Sequence, residues 1–209
     1  MQPFTRLTAI AAPLDQANVD TDRIIPARFL RKPRGDGYDR YLFHDDRFAD
    51  DGAEAADFVL NRPHFRDAII LVTDSNFGCG SSREGAVYAL ADYGIRAIIA
   101  PSFGDIFYQN LLKNGLLPIR LPAEVVAGWR RRLHEAPGAA IAIDLLAQTV
   151  SGPDGASQSF EIDAFAKTCL LEGVDDIKLT LRYEAQISAY EKRAAIVAPW
   201  VFDPQDTMR

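Results

Sequence analysis

Residues 67–102 read DAIILVTDSNFGCGSSREGAVYALADYGIRAIIAPS, and the order of patterns within them decides the fold. The run at 67–74 is continuously apolar between polar ends, as for a strand covered on both faces. A loop with two glycines around a cysteine follows. From 81 to 94 the pattern becomes helical, with Val87, Leu90 and Ala91 on one side and Gly94 as the stop. RAIIAPS (96–102) is a second buried strand. The alternation continues with a helix at 105–115, ended by Gly115, and a strand at 116–122. The internal Pro118 puts that strand at an edge or at a strand start. Residues 123–136 form another helix. Strand–helix–strand–helix–strand at this spacing predicts an α/β fold with a parallel βαβ core and right-handed crossovers.

Working outward, TRLTAIAAPL (5–14) reads as a strand. DQANVDTDRIIPARFL (15–30) is a turn rich in Asp and Asn, then a short apolar piece stopped by Pro26. Residues 31–62 hold eight acidic and six basic side chains without a clean period. They predict a long excursion with a short helix near AEAADFVLN, and such loops are often functional. Within 139–165, two antiparallel strands are expected around SGPDGAS. A last helix is expected over 175–195, with Ile177, Leu181, Ile187 and Tyr190 at helical spacing. The tail from 196 is too short to pack by itself and would lie across the body or a partner. With no internal repeat or low-complexity linker, the expectation is one domain over 1–209, a variable loop at 31–62 and a C-terminal helix and tail at 175–209.

The 209 residues are 48% hydrophobic and 25% charged, the balance of a globule with a sizeable core. The net charge of −6 argues against nucleic acid as a partner. In WRRRLHE (129–135), Arg130, Arg131 and Arg132 read as one solvated helix turn. The N-terminus lacks a basic, apolar-cored leader, and no run reaches membrane-spanning length; the expectation is a cytoplasmic protein with no membrane contact. Cys79 and Cys169 are too few for a four-cysteine cluster or zinc site. His44, His64 and His134 are scattered, so no metal site is expected on this chain. Cys169 reads as a small buried apolar residue.

The loop SNFGCGSSREGA (75–86) carries the chemistry. Gly78 and Gly80 permit positive φ and close approach to the backbone. The first N–H groups of the following helix favour an anion. Three readings stand: Ser81 or Ser82 caps the helix; the loop cradles a phosphate, although the lysine of that pattern is missing; or it holds a carboxylate while a serine serves as base. An alkoxide would need several N–H donors and a cation, which the helix start and Arg83 supply. The loop has no histidine and no G-x-S-x-G elbow, which disfavours a hydrolase triad.

NVDTDRIIPARFL (18–30), NFGCGSSRE (76–84) and SFGDIFYQNLLKNGLLPI (102–119) together resemble the small subunit of 3-isopropylmalate dehydratase, the swivelling β/β/α domain of the aconitase superfamily. The resemblance runs from the first strand to the final helix. It implies a hydro-lyase, active only with a large subunit, that isomerises 2-isopropylmalate to 3-isopropylmalate through 2-isopropylmaleate in leucine biosynthesis. It implies that Ser81 is the base that moves a proton on the carbon beside a carboxylate, and that Ser82 and Arg83 bind substrate carboxylate. Asp20, Thr21 and Asp22 match a turn at the rim of the site. Arg28, Gly78 and Gly80 are further rim or support candidates, and Arg23 and Arg31 are either clamps for a second carboxylate or solvated charges. The resemblance implies a [4Fe–4S] cluster carried by the large subunit, with a small hydroxy-dicarboxylate as substrate. One position departs from the family: Gly85 stands where members commonly have His. Glycine there loosens an early helical turn by up to ~1 kcal/mol relative to Ala. It leaves open relatives acting on homoaconitate or methyl- and dimethyl-malates. A non-catalytic carboxylate-binding module and a redox sensor centred on Cys79 are the readings from other classes.

Overall fold

The computed structural model describes residues 1–35, 37–80 and 83–202. The chain divides into two units, Met1–Gly173 and Val174–Arg209. The strands of the first are β1 (Arg6–Leu14), β2 (Ile70–Thr73), β3 (Ala97–Ala100), β4 (Leu117–Arg120), β5 (Ala140–Asp144), β6 (Thr149–Ser151) and β7 (Ser157–Ser159). Its helices are α1 (Thr21–Ile24), α2 (His44–Arg47), α3 (Glu84–Tyr93), α4 (Asp105–Lys113), α5 (Ala123–Glu135) and α6 (Ala164–Glu172).

The seven strands form one sheet in the order β4-β3-β2-β1-β5-β6-β7. The four from β4 to β1 run parallel, while β5 joins β1 antiparallel and continues into the antiparallel β6–β7 pair. The parallel half is the expected βαβ core. β4 lies at the sheet edge, which explains why Pro118 is tolerated there.

Residues of the central strands alternate between two cores, because successive side chains on a strand point to opposite faces. Ala12, Leu71 and Ile98 pack with Val87 and Leu90 of α3 on one face. Ala11, Ile70, Ile99 and Ile119 pack with Val126, Trp129 and Leu133 of α5 on the other. Burial on both faces is why these strands read as unbroken apolar runs.

The 31–62 excursion does not hold one helix near 53–61. It is a chain of single turns, at Tyr38–Tyr41, His44–Arg47 and Val59–Asn61. Tyr38, Leu42, Phe43 and Leu60 insert into the α3 side of the core. Arg47 ties the excursion together from inside: it is buried and donates to the carbonyls of Asp39 (3.0 Å) and Leu42 (3.2 Å). Its ring neighbours are Phe48 and Tyr93. Burial pulls its basicity below the ordinary arginine value.

α6 was not expected from sequence. Asp163 caps its start, accepting the Ala166 N–H at 3.0 Å, and Gly173 ends it. Cys169 is buried on this helix. In the second unit the helix expected over 175–195 is broken into α7 (Asp176–Leu181) and α8 (Glu184–Val197). The Tyr183 N–H reaches back only to Thr180, three residues rather than four, which tightens the turn and ends α7. Between 174 and 201 no described side chain is buried. Ile177, Tyr190, Ile196 and Trp200 are all largely exposed.

Candidate active site

Three loops leave the carboxyl ends of the parallel strands β1, β2 and β3, the edge where open α/β sheets place ligands. Backbone bonds join the first two. Asn18 N–H donates to Ser75 O (2.9 Å), Gly78 N–H to Val19 O (2.7 Å) and Thr21 N–H to Cys79 O (3.1 Å). The third loop is fastened to the second: Phe77 N–H donates to Ser102 O (3.1 Å), Gly104 N–H to Phe77 O (2.9 Å), and Asn76 N–H to Ser102 Oγ (2.8 Å). The result is a braid that brings the DTD turn, residues 20–22, against the glycine loop.

The glycines have separate reasons to be there. Gly78 has φ +71°, and a Cβ on it would lie 2.0 Å from Cδ1 of Phe107. The Phe107 ring therefore covers Gly78, and the close approach at this residue is made by the protein itself. Gly80 has φ +86°, and among the described residues the nearest atom to its Cβ direction is Asp20 Cβ at 3.5 Å. Gly80 is exposed, whereas Gly78 is buried. Asn18 (φ 54°) and Asn76 (φ 58°) also take left-handed conformations, and the Asn76 amide donates to Asn18 Oδ1 at 2.8 Å. Asn tolerates this region better than most residues, so the asparagines of NVD and NFG are the sequence signal for these two turns.

Ser81 and Ser82 lie outside the described residues. The chain is described again from Arg83, which occupies the N-cap of α3; the helix proper starts at Glu84, later than the 81–82 start expected. Arg83 makes no side-chain capping bond to the helix. The Arg83 guanidinium pairs with the Asp22 carboxylate of the DTD turn. Arg83 is 22% exposed and Asp22 51% exposed at the side chain, so the cation is the more enclosed partner. Asp20 caps α1 by accepting the Arg23 N–H at 2.8 Å, and Thr21 is buried beneath the turn.

The structure thus brings together Asp20, Thr21, Asp22, Gly78, Gly80 and Arg83. Arg28 turns elsewhere: it pairs with Asp45 and lies 4.6 Å over the Phe29 ring. Arg23 pairs with Asp46 through two bonds of 2.8 and 3.0 Å. These hydrogen bonds raise both arginines above their ordinary value and hold Asp45 below the ordinary carboxylate range. Arg23 and Arg28 are therefore engaged with the 31–62 excursion, and Arg31 is exposed. Cys79 contributes its carbonyl to the braid and is half-buried. Cys169, the second cysteine, is buried on α6. Among the described residues no three His, Cys, Asp or Glu side chains gather as a metal site. Among them, too, no helix is long and apolar enough to cross a membrane.

The chain matches known proteins over nearly its whole length. The aconitase C-terminal domain model covers residues 1–124. Residues 176–204 match the model for the C-terminal domain of 3-isopropylmalate dehydratase small subunits. A 3-isopropylmalate dehydratase small subunit of Dinoroseobacter shibae is 53% identical over 201 residues, 96% of this chain and 100% of that protein. One from Jannaschia sp. is 54% identical over the same shares. The chain belongs to the 3-isopropylmalate dehydratase small-subunit family. In that family a solved structure, the 3-isopropylmalate dehydratase of Methanocaldococcus jannaschii, superposes with a TM-score of 0.63 at 28% identity. It covers 88% of this chain and 99% of its own. Gly85, at the start of α3, has a defined steric setting. A Cβ there would come within 3.2 Å of both Leu30 Cδ2 and the Tyr38 hydroxyl. Both are ends of side chains, so a larger residue at 85 needs them to give way by a few tenths of an ångström.

Proposed function

We propose that this chain is the small subunit of a hydro-lyase that interconverts 2-isopropylmalate and 3-isopropylmalate through 2-isopropylmaleate, the isomerisation step of leucine biosynthesis. It acts only with a large subunit, in the cytoplasm. Near-full-length identity of about half to the named small subunits supports the substrate. The observation that carries the site is the Arg83–Asp22 pair: a half-enclosed guanidinium beside the serine pair already holds a carboxylate.

In this reading the chemistry divides as follows. Arg83 exchanges Asp22 for a carboxylate of the substrate, its planar fork binding both oxygens. Ser82 donates to the same carboxylate. Ser81, as alkoxide, takes the proton from the carbon beside that carboxylate and returns it in the rehydration step. A serine hydroxyl is a very weak acid, so its ionised form depends on the nearby guanidinium and on N–H donors at the start of α3. Asp22 holds the fork in place before substrate arrives. The braid holds the DTD turn against the glycine loop, so these two pieces have little freedom left to lose on binding.

The two cysteines of this chain are too few to hold an iron–sulfur cluster by themselves, and Cys169 is buried on α6. The [4Fe–4S] cluster of this reading belongs to the large subunit, where it supplies a Lewis acid for the departing hydroxyl. The exposed apolar side chains of 174–201 support a protein partner, since surfaces of this kind mark association sites. Mixing the purified chain with its large subunit and assaying hydration of 2-isopropylmaleate tests the function. Faster turnover of homoaconitate or of methyl- and dimethyl-malates would move the chain to a related dehydratase. Carboxylate binding without any turnover would make it a binding module.

A further inference from the structure

Asp15 follows β1 and Asp74 follows β2, and the two strands pair in parallel with Leu14 opposite Thr73. The first residues of both site loops are therefore neighbouring carboxylates. Between them lies Arg130 of α5. Its Nη1 donates to Asp15 Oδ1 at 3.1 Å and its Nη2 to Asp74 Oδ2 at 2.6 Å. Arg130 is only 12% exposed at the side chain, against the solvated turn expected from WRRRLHE; Arg131 and Arg132 are exposed. The other oxygen of Asp74 accepts the Ser75 N–H at 2.6 Å, and Ser75 O accepts the Asn18 N–H. From Arg130 the bonds thus run directly into the braid that ends at Asp22 and Gly80. His134, one turn further along α5, pairs with the second oxygen of Asp15.

We propose that Arg130 is a positioning residue for the active site: one guanidinium bolts the roots of the β1–α1 and β2–α3 loops together and so sets the register between the DTD turn and the serine loop. Without the cation, two adjacent carboxylates face each other and drive the loops apart. The proposal rests on the function assigned above, because that reading makes Arg83 and the loop that precedes it part of the active site. A misplacement of about 1 Å at such a site costs on the order of a hundredfold in rate.

The test uses Arg130→Met, which keeps the aliphatic stem, in three measurements. In the assembled enzyme kcat falls by about a hundredfold. Adding Asp15→Asn to Arg130→Met removes the repulsion and restores a large part of that loss. In the free small subunit, amide exchange at Asn18, Ser75 and Gly78 speeds up while that of Ile98 and Ile99 in β3 does not. A role in packing alone would give no rescue by Asp15→Asn. Should Arg130→Met not fold, Arg130→Lys keeps one cation that reaches one carboxylate, and is expected to lose activity partially with the same exchange pattern. Unchanged kcat with unchanged exchange overturns the proposal, as does a loss that Asp15→Asn fails to relieve. An inactive parent pair overturns the functional assignment instead, and the exchange arm still decides whether Arg130 holds the loops.

Discussion

Replacing Gly78 by alanine perturbs the braid at its most crowded point. The backbone there has φ +71°, and the new methyl would sit 2.0 Å from Cδ1, 2.2 Å from Cγ and 2.6 Å from Cε1 of Phe107. Left-handed backbone costs a non-glycine residue about 1–2 kcal/mol. Forcing a methyl into a packed core costs a further ~1–3 kcal/mol. Phe107 is 2% exposed and cannot swing into solvent, so both costs are incurred. The expected loss is about 2–5 kcal/mol, a large part of the ~5–15 kcal/mol that holds a typical domain together. Gly80→Ala is the internal control. It has nearly the same φ, and its nearest contact among the described residues is at 3.5 Å, so the expected loss is the ~1–2 kcal/mol backbone cost. At roughly 2–4 °C per kcal/mol for a chain of this size, thermal unfolding separates the two variants. Equal melting temperatures for Gly78→Ala and Gly80→Ala would refute the reasoning, because the Phe107 contact would then carry no energy.

Further outcomes follow from the site. Arg83→Lys keeps the charge and loses the fork, so kcat/KM of the assembled enzyme is expected to fall roughly ten- to a hundredfold, the worth of a charge-assisted hydrogen bond of about 1.5–3 kcal/mol; steady-state kinetics check it, and an unchanged value counts against carboxylate binding at Arg83. The Ser75 N–H, with Arg130 next, holds Asp74 below the usual carboxylate range. A lowered folded-state value means this stabilisation is complete above the unfolded value of about 3.9. It is lost as the pH falls below that value and through the folded one. Asp74→Asn should therefore flatten the acid limb of the stability profile, measured by denaturant unfolding between about pH 2 and 5, and an acid limb as steep as the parent's would contradict it.

Much of the core was legible because its signals are local. Apolar runs at 67–74 and 96–102 mark strands buried on both faces, Gly94 and Gly115 close helices, and Pro118 fits only an edge. The 31–62 excursion was not legible, since its order comes from distant burial of Leu42 and Phe43 and from Arg47 inside the fold. Arg130 misled for the same reason. A basic run on a helix reads as solvated until the sheet brings Asp15 and Asp74 beneath it. At the site, the DTD turn and the glycine loop could be named from sequence. Their backbone pairing, and the covering of Gly78 by Phe107 rather than by a ligand, are tertiary facts.

The central claim is that Ser81 moves the substrate proton while Arg83 holds the adjacent carboxylate. Ser81→Ala, assembled with the large subunit and assayed for 2-isopropylmaleate hydration, tests it most directly. Loss of a general base predicts a fall in kcat of at least about a hundredfold, with assembly and substrate affinity retained. Turnover within a few-fold of the parent would contradict the account.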